Sequence, residues 1–234
     1  MKIAIMGVLG TLLFFLALTS VSASLIINEV DYDQPGYDYA EFIELLNRGP
    51  NLLSLDGYTL SLFNGSTGTY YRRFDLSGYQ IAAGSYFVLC GNGRYVVHCN
   101  FDAMKNSSLI QNGGSKADPI TLSFNGSLID SLVYEGNLEG EIVGQGDRLN
   151  DRSIDSFMGL SRLPHGYDSN NDNHDFQSSC ITPGFANTYL NSHCISSISE
   201  PTSLLLMLLG VVLFMPQIRG LQIGGSLRKT LFHE

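Results

Sequence analysis

The sequence predicts an all-β domain, a sandwich or a barrel, set between two apolar ends. Three observations predict it. The middle of the chain carries no long apolar stripe at the helical period; short apolar runs alternate instead with clusters of Gly, Asn, Asp and Pro. Asn125-Gly126 stands between two such runs, and this pair is the strongest short hairpin signal because both residues accept positive φ. Residues 3–18 and 204–215 are uninterrupted apolar runs near the two ends of the 234-residue chain. Between them, residues 24–198 are enough for one domain with a sizeable core.

The first apolar run follows Lys2 and ends in Thr19-Ser20-Val21-Ser22-Ala23, the layout of an export signal, with cleavage expected after Ala23. Leu25–Asp31 reads as the first strand and Ala40–Asn47 as a second with apolar residues on both faces. Gly57–Phe63 alternates, with Tyr58, Leu60 and Leu62 on one side. Ser85–Cys90 and Arg94–His98 flank Gly91-Asn92-Gly93, so a tight hairpin is expected there. Pro119–Phe124 and Ser127–Tyr134 flank Asn125-Gly126. A two-residue loop would set Leu122 opposite Ile129 and put Ile120, Leu122, Phe124, Ile129 and Val133 on one core face. Phe-Asn-Gly-Ser occurs at 63–66 and again at 124–127, which two hairpin tips of like turn chemistry explain. Residues 140–174 read as long loops with one late strand near Gly159–Leu163. Strands at this spacing indicate a sandwich or barrel.

Charge excludes one class of function. The chain has net charge -9, and the middle holds twenty acids against nine Lys and Arg. Nucleic-acid binding needs clustered cations, and Arg72-Arg73 is the one doublet in that middle. The four cysteines, Cys90, Cys99, Cys180 and Cys194, lie in the part expected to be exported. An even number there suggests disulfides, with three pairings open; Cys90–Cys99 with Cys180–Cys194 closes the shortest loops and is favoured. Zinc is disfavoured because no C-x-x-C spacing occurs.

The opening and closing motifs carry a resemblance. Ile27-Asn28-Glu29-Val30-Asp31, Ala40-Glu41-Phe42-Ile43-Glu44-Leu45-Leu46-Asn47 and Leu55-Asp56-Gly57-Tyr58-Thr59-Leu60 resemble the start of the lamin-tail domain. Leu160-Ser161-Arg162-Leu163-Pro164, the Asp/Asn run at 168–175 and Thr182-Pro183-Gly184-Phe185-Ala186-Asn187 resemble its close. The resemblance covers residues 25–188 and implies an immunoglobulin-like β-sandwich. The C-terminus resembles a second pattern, the PEP-CTERM sorting signal, on Ser199, Glu200 and Pro201, the apolar span and Arg219. Ser199 stands where the pattern has Pro, and fifteen residues follow Arg219 where such signals end sooner. If the pattern holds, it implies recognition by an exosortase in a Gram-negative bacterium. The organisation expected is therefore a signal peptide (1–23), the lamin-tail-like sandwich (24–190) and a linker with the sorting motif (191–200). A transmembrane or sorting helix (201–218) and a cytoplasmic tail (219–234) follow.

Three places in the sequence could carry chemistry. Glu29, Asp31, Asp33, Asp38, Glu41 and Glu44 form a dense run of carboxylates, but acid–base work needs one desolvated acid beside one that stays ionised, and the sequence does not signal that. Asp168 to Asp175 begins like a calcium loop, yet Asn173 stands at the turn glycine and Ser179 at the closing glutamate; an Asx-rich turn explains it as well. His98, His165, His174 and His193 accompany no nucleophile elbow, since Gly159-Leu160-Ser161-Arg162-Leu163 fails at its last position. No cofactor motif occurs. The expected function is a non-enzymatic, exported, surface-held binding or scaffolding module. Its partners are the membrane, signal peptidase, an exosortase and a polysaccharide or protein ligand, offered contact area by Tyr32, Tyr37, Tyr39, Tyr70, Tyr71 and Tyr79. The rival reading is a secreted metal-dependent hydrolase or nuclease accessory domain.

Overall fold

A computed structural model describes residues 24–34, 38–114, 116–136, 157–189 and 194, all within one unit, Met1–Cys194. The expected signal peptide, sorting motif, terminal helix and tail lie outside the described residues, as do Tyr37 and His193. Among the described residues no helix is long and apolar enough to cross a membrane.

Among the described residues twelve strands and one helical turn follow in order: β1 (Leu25–Asp31), β2 (Phe42–Asn47), β3 (Leu53–Ser54), β4 (Tyr58–Asn64), β5 (Thr69–Asp75), β6 (Gln80–Ile81) and β7 (Tyr86–Cys90). Then come β8 (Cys99–Asp102), β9 (Asp118–Phe124), β10 (Ser127–Tyr134), β11 (Met158–Arg162), α1 (Asp172–Asp175) and β12 (Phe176–Cys180). A six-stranded sheet runs β12-β11-β1-β2-β7-β8 and a four-stranded sheet β10-β9-β4-β5; β3 and β6 form a small pair. The architecture is all-β, as the turn spacing predicts, and consistent with an immunoglobulin-like β-sandwich.

The core lies between the two large sheets. Leu25, Ile27, Val30, Ile43, Leu45, Leu89 and Leu160 face it from one side, and Leu60, Leu62, Ile120, Leu122 and Leu132 from the other, all fully buried. β1 and β2 are buried along their whole length, so their second face is covered too. That outer face carries a small apolar cluster of Phe42, Val88, Cys90 and Val96, with Ile181 against it.

Several expectations need correction. Arg94–His98 is not a strand but a series of turns, and β8 runs parallel to β7, so Gly91-Asn92-Gly93 opens a return loop and not a hairpin. The Cys90–Cys99 disulfide closes that loop, and Cys180–Cys194 is the second bridge. At Asn125-Gly126 the two-residue turn forms with φ of 49° and 81°, and Phe124 pairs Ser127. A bulge between Leu128 and Asp130 then shifts the parity: Leu122 faces Asp130, not Ile129. Leu132 and Tyr134 therefore enter the main core in place of Val133, and Phe124 stays 39% exposed. The earlier Phe-Asn-Gly-Ser also forms a hairpin tip, but a longer one, because Asn64 pairs Thr69. Strand β5, with Tyr70 and Tyr71, is not foreseen in the sequence; it pairs with β4 on the side opposite β9. β12, also unforeseen, borders β11.

Candidate functional site

The resemblance motifs converge on two buried polar networks. On the outer face of the six-stranded sheet, Glu29 and Glu44 are cross-strand partners on β1 and β2, both with no exposed surface. Above them lies residues 182–187, a strap with the sequence Thr-Pro-Gly-Phe-Ala-Asn. The Thr182 amide donates to Glu29 Oε2 at 2.8 Å and the Ser161 hydroxyl to Glu29 Oε1 at 2.7 Å. The Gly184 amide donates to Glu44 Oε2 at 2.6 Å and Asn28 Nδ2 to Glu44 Oε1 at 2.7 Å. Asn187 Nδ2 donates to the carbonyls of Asn28 and Arg162, both at 3.0 Å, and its own amide donates to His165 Nδ1. Gly184 sits at φ +85°, and a Cβ there would lie 2.7 Å from the His98 side chain. Only glycine allows this approach.

Burial raises Glu29 to about 7; the hydrogen bonds from Ser161 and Thr182 offset it in part. Burial, then the neighbouring Glu29 carboxyl, raises Glu44 to about 8. Burial desolvates and raises both members of this pair, so neither is the ionised partner that acid–base catalysis sets beside a raised acid. The pair also lacks access: all four oxygens accept from the chain itself, and neither side chain reaches solvent. The arrangement fastens the strap.

Arg162 organises the second network and is 1% exposed. Its Nε donates to the Ile27 carbonyl at 2.7 Å, Nη1 to Asp175 at 2.9 Å and Nη2 to both oxygens of Asp130 at 3.0 and 3.1 Å. The guanidinium lies 4.5 Å over the Phe176 ring. Burial raises Asp130, and the Arg162 charge pulls it back. Asp175 also accepts from the amide and hydroxyl of Ser169, Asp168 pairs with Arg48 at 3.2 Å, and Asp172 accepts from the Val133 amide. Of the carboxylates that suggested a calcium loop, Asp168 and Asp175 thus pair with arginine and Asp172 meets a backbone amide. Among the described residues no group of acids, histidines or cysteines is placed to hold a metal ion.

The remaining predicted residues scatter. Glu41 caps the amides of Leu109 and Ile110, and burial raises it to about 8. His165 lies between Tyr86 and Asn187, and burial lowers it; His98 packs edge-on against Phe185. Ser161 is fully buried on β11, so it is no exposed nucleophile. Tyr32 is not a loop contact residue but core, with its ring 4.4 Å from Tyr134; Tyr71 and Tyr79 also pack on the core, while Tyr70 is 51% exposed.

One open cleft of about 480 Å³ stands apart from both networks, lined by Asp38, Asn64, Ser66, Gln111, Asn112 and Asp118 among others. The hairpin tip between β4 and β5 forms one wall. It sits so close to the 117–118 backbone that a Cβ on Gly65 would lie 1.9 Å from the Ala117 carbonyl oxygen. Gln111 is held from behind: its amide donates to the Tyr71 hydroxyl at 2.9 Å, and its carbonyl accepts from the Tyr134 hydroxyl at 2.7 Å. Asn64 Nδ2 donates to Gln111 Oε1 at 2.9 Å. No local pattern announces this cleft, because its residues come from four separate segments.

Fold and networks together define an all-β domain whose signature polar residues are internal fasteners. The chain belongs to the lamin tail domain family, whose family model matches residues 19–136. No curated protein matches it. Among solved structures it is similar to a DUF4876 family protein from Bacteroides thetaiotaomicron VPI-5482, at 12% identity over 74% of each chain with a TM-score of 0.47.

Proposed function

We propose that this chain is a non-enzymatic binding module, exported and held at the cell envelope or in its exopolysaccharide matrix. The observation that carries the reading is the fate of the carboxylates: Glu29, Glu41, Glu44 and Asp175 are buried and accept hydrogen bonds from the chain's own groups. What the surface offers a partner is the polar cleft and several exposed rings. Two disulfides with no free cysteine support an oxidising place of action. Export rests on residues 1–23, and surface retention on Ser199, Glu200, Pro201, the apolar span and Arg219.

The test is turnover by the purified full chain on DNA, phosphodiesters and polysaccharides, each with added Mg²⁺, Mn²⁺, Ca²⁺ or Zn²⁺. No product above the metal-only blank is expected. Turnover that disappears in a folded Glu29→Gln or Glu44→Gln variant overturns the reading. Terminal sequencing of the protein from its native host checks export: a mature start at Ser24 is expected, and a cytosolic chain beginning at Met1 contradicts it.

A further inference from the structure

Resting on the binding-module reading, the geometry of the cleft points to its ligand class: we propose that the cleft between the β4–β5 tip and residues 108–114 binds a neutral oligosaccharide. The volume, about 480 Å³, lies in the range that holds small ligands. Its lining excludes other classes by chemistry. Among the described residues Asp38 and Asp118 line it and no Lys or Arg does, in a chain of net charge -9, so anionic ligands are repelled. Polar groups dominate the wall, so an apolar ligand would strand them without partners.

What remains is a dense set of donors and acceptors of the kind that vicinal hydroxyls satisfy. Asn112 presents a carbonyl oxygen and an amide within one planar group, Asn64 and Gln111 keep amide hydrogens beyond the bond that joins them, and Ser66 adds a hydroxyl. The carboxylates are already oriented. Asp118 Oδ1 accepts from the Gly65 amide at 2.7 Å and Asp38 Oδ1 from the Gln34 amide at 3.2 Å, leaving each with an oxygen for a hydroxyl donor. Preorganisation matters because ordering loops on binding reduces affinity. Here the Tyr71 and Tyr134 hydroxyls fix the Gln111 backbone, and the Asn64–Gln111 bond ties one wall to the other.

A ring platform begins one residue along the chain from Asp38. Tyr39 stacks on Tyr95 with centroids 5.6 Å apart and planes 26° from parallel, and Tyr95 is 57% exposed. A flat amphipathic ring suits the C–H face of a sugar as the polar groups suit its edge. The Cys90–Cys99 disulfide closes the loop that carries Tyr95, which limits the ordering needed on contact.

The test titrates the full chain by calorimetry with cello-, malto-, manno- and xylotetraose, and with a galacturonate tetramer as the charged counterpart. At least one neutral tetrasaccharide is expected to bind, about tenfold or more tighter than the galacturonate. Asn112→Ala and Gln111→Ala, both on exposed positions, are each expected to weaken it about tenfold with the thermal midpoint unchanged. Tyr95→Ala is expected to weaken it several-fold. Failure of every neutral tetrasaccharide to bind, or equal or tighter binding of galacturonate, overturns the proposal. Neutral binding unaffected by Asn112→Ala and Gln111→Ala overturns the cleft assignment while the module reading stands. Turnover in the enzyme assay would sink the module reading and leave the cleft's ligand class intact.

Discussion

Glu44→Gln is expected to reverse the stability order of variant and parent between pH 5 and pH 9. Glu44 is fully buried, and its folded value is about 8 against 4.5 for an ordinary glutamate. A carboxyl raised on folding holds its proton longer in the native state than in the unfolded one. Its contribution is therefore complete below about pH 4.5 and is lost as pH rises through 8. At about 1.4 kcal/mol per unit, the loss is on the order of 4 kcal/mol between pH 5 and pH 9. Glu29, raised to about 7, and Glu41, raised to about 8, slope in the same direction. Glutamine keeps the shape of the protonated side chain and removes the charge. At pH 5 the variant should fall about 1 kcal/mol below the parent, because one amide hydrogen faces the Asn28 donor. At pH 9 it should be the more stable of the two. Urea unfolding followed by circular dichroism at both pH values measures the crossing. Parallel curves with a constant offset would refute the reasoning, since they would mean that folding does not raise Glu44.

Arg162→Met removes the partner of two buried carboxylates and should reduce unfolding free energy by roughly 3–5 kcal/mol; a loss under about 1 kcal/mol counts against the network. Asn187→Ala orphans the carbonyls of Asn28 and Arg162, and a loss of about 1–3 kcal/mol per stranded group is expected in the same assay. Reducing the Cys90–Cys99 bridge, which closes a loop of nine residues' separation, should lower stability by about 2–3 kcal/mol; Cys90→Ser with Cys99→Ser checks it. Millimolar calcium should leave the thermal midpoint where it is, because Arg162, Arg48 and backbone amides already meet the carboxylates of residues 168–175; a rise of several degrees contradicts this.

How much of this was legible depends on range. β1, β4, β7 and the β9–β10 hairpin were readable because alternation and Asn-Gly are local signals. The bulge at Ile129 was not, since it answers to Asp130, whose carboxylate reaches across to the Ile27 amide and Arg162. β5 and β12 were missed for a similar reason: a half-exposed strand with Tyr-Tyr-Arg-Arg has little alternation, and its pairing partner decides. The parallel β7–β8 pair defeats a hairpin reading because nothing local separates a turn from a return loop. In the networks, the glutamates could be named but not placed; only the fold shows that Thr182 and Gly184 lie over them, some 140 to 153 residues away. Arg162 had a weak signal, a cation at the end of a short strand between Leu160 and Leu163, which points to buried carboxylates.

Amide chemical shifts of the isotope-labelled full chain, titrated with the neutral tetrasaccharide that binds best, separate fastening from binding most directly. Shifts are expected at Asn64 to Ser66 and Gln111 to Gly114, with Thr182, Gly184 and Asn187 still. Movement at Thr182 and Gly184 with a silent cleft would put the ligand at the buried glutamates and contradict the division of roles.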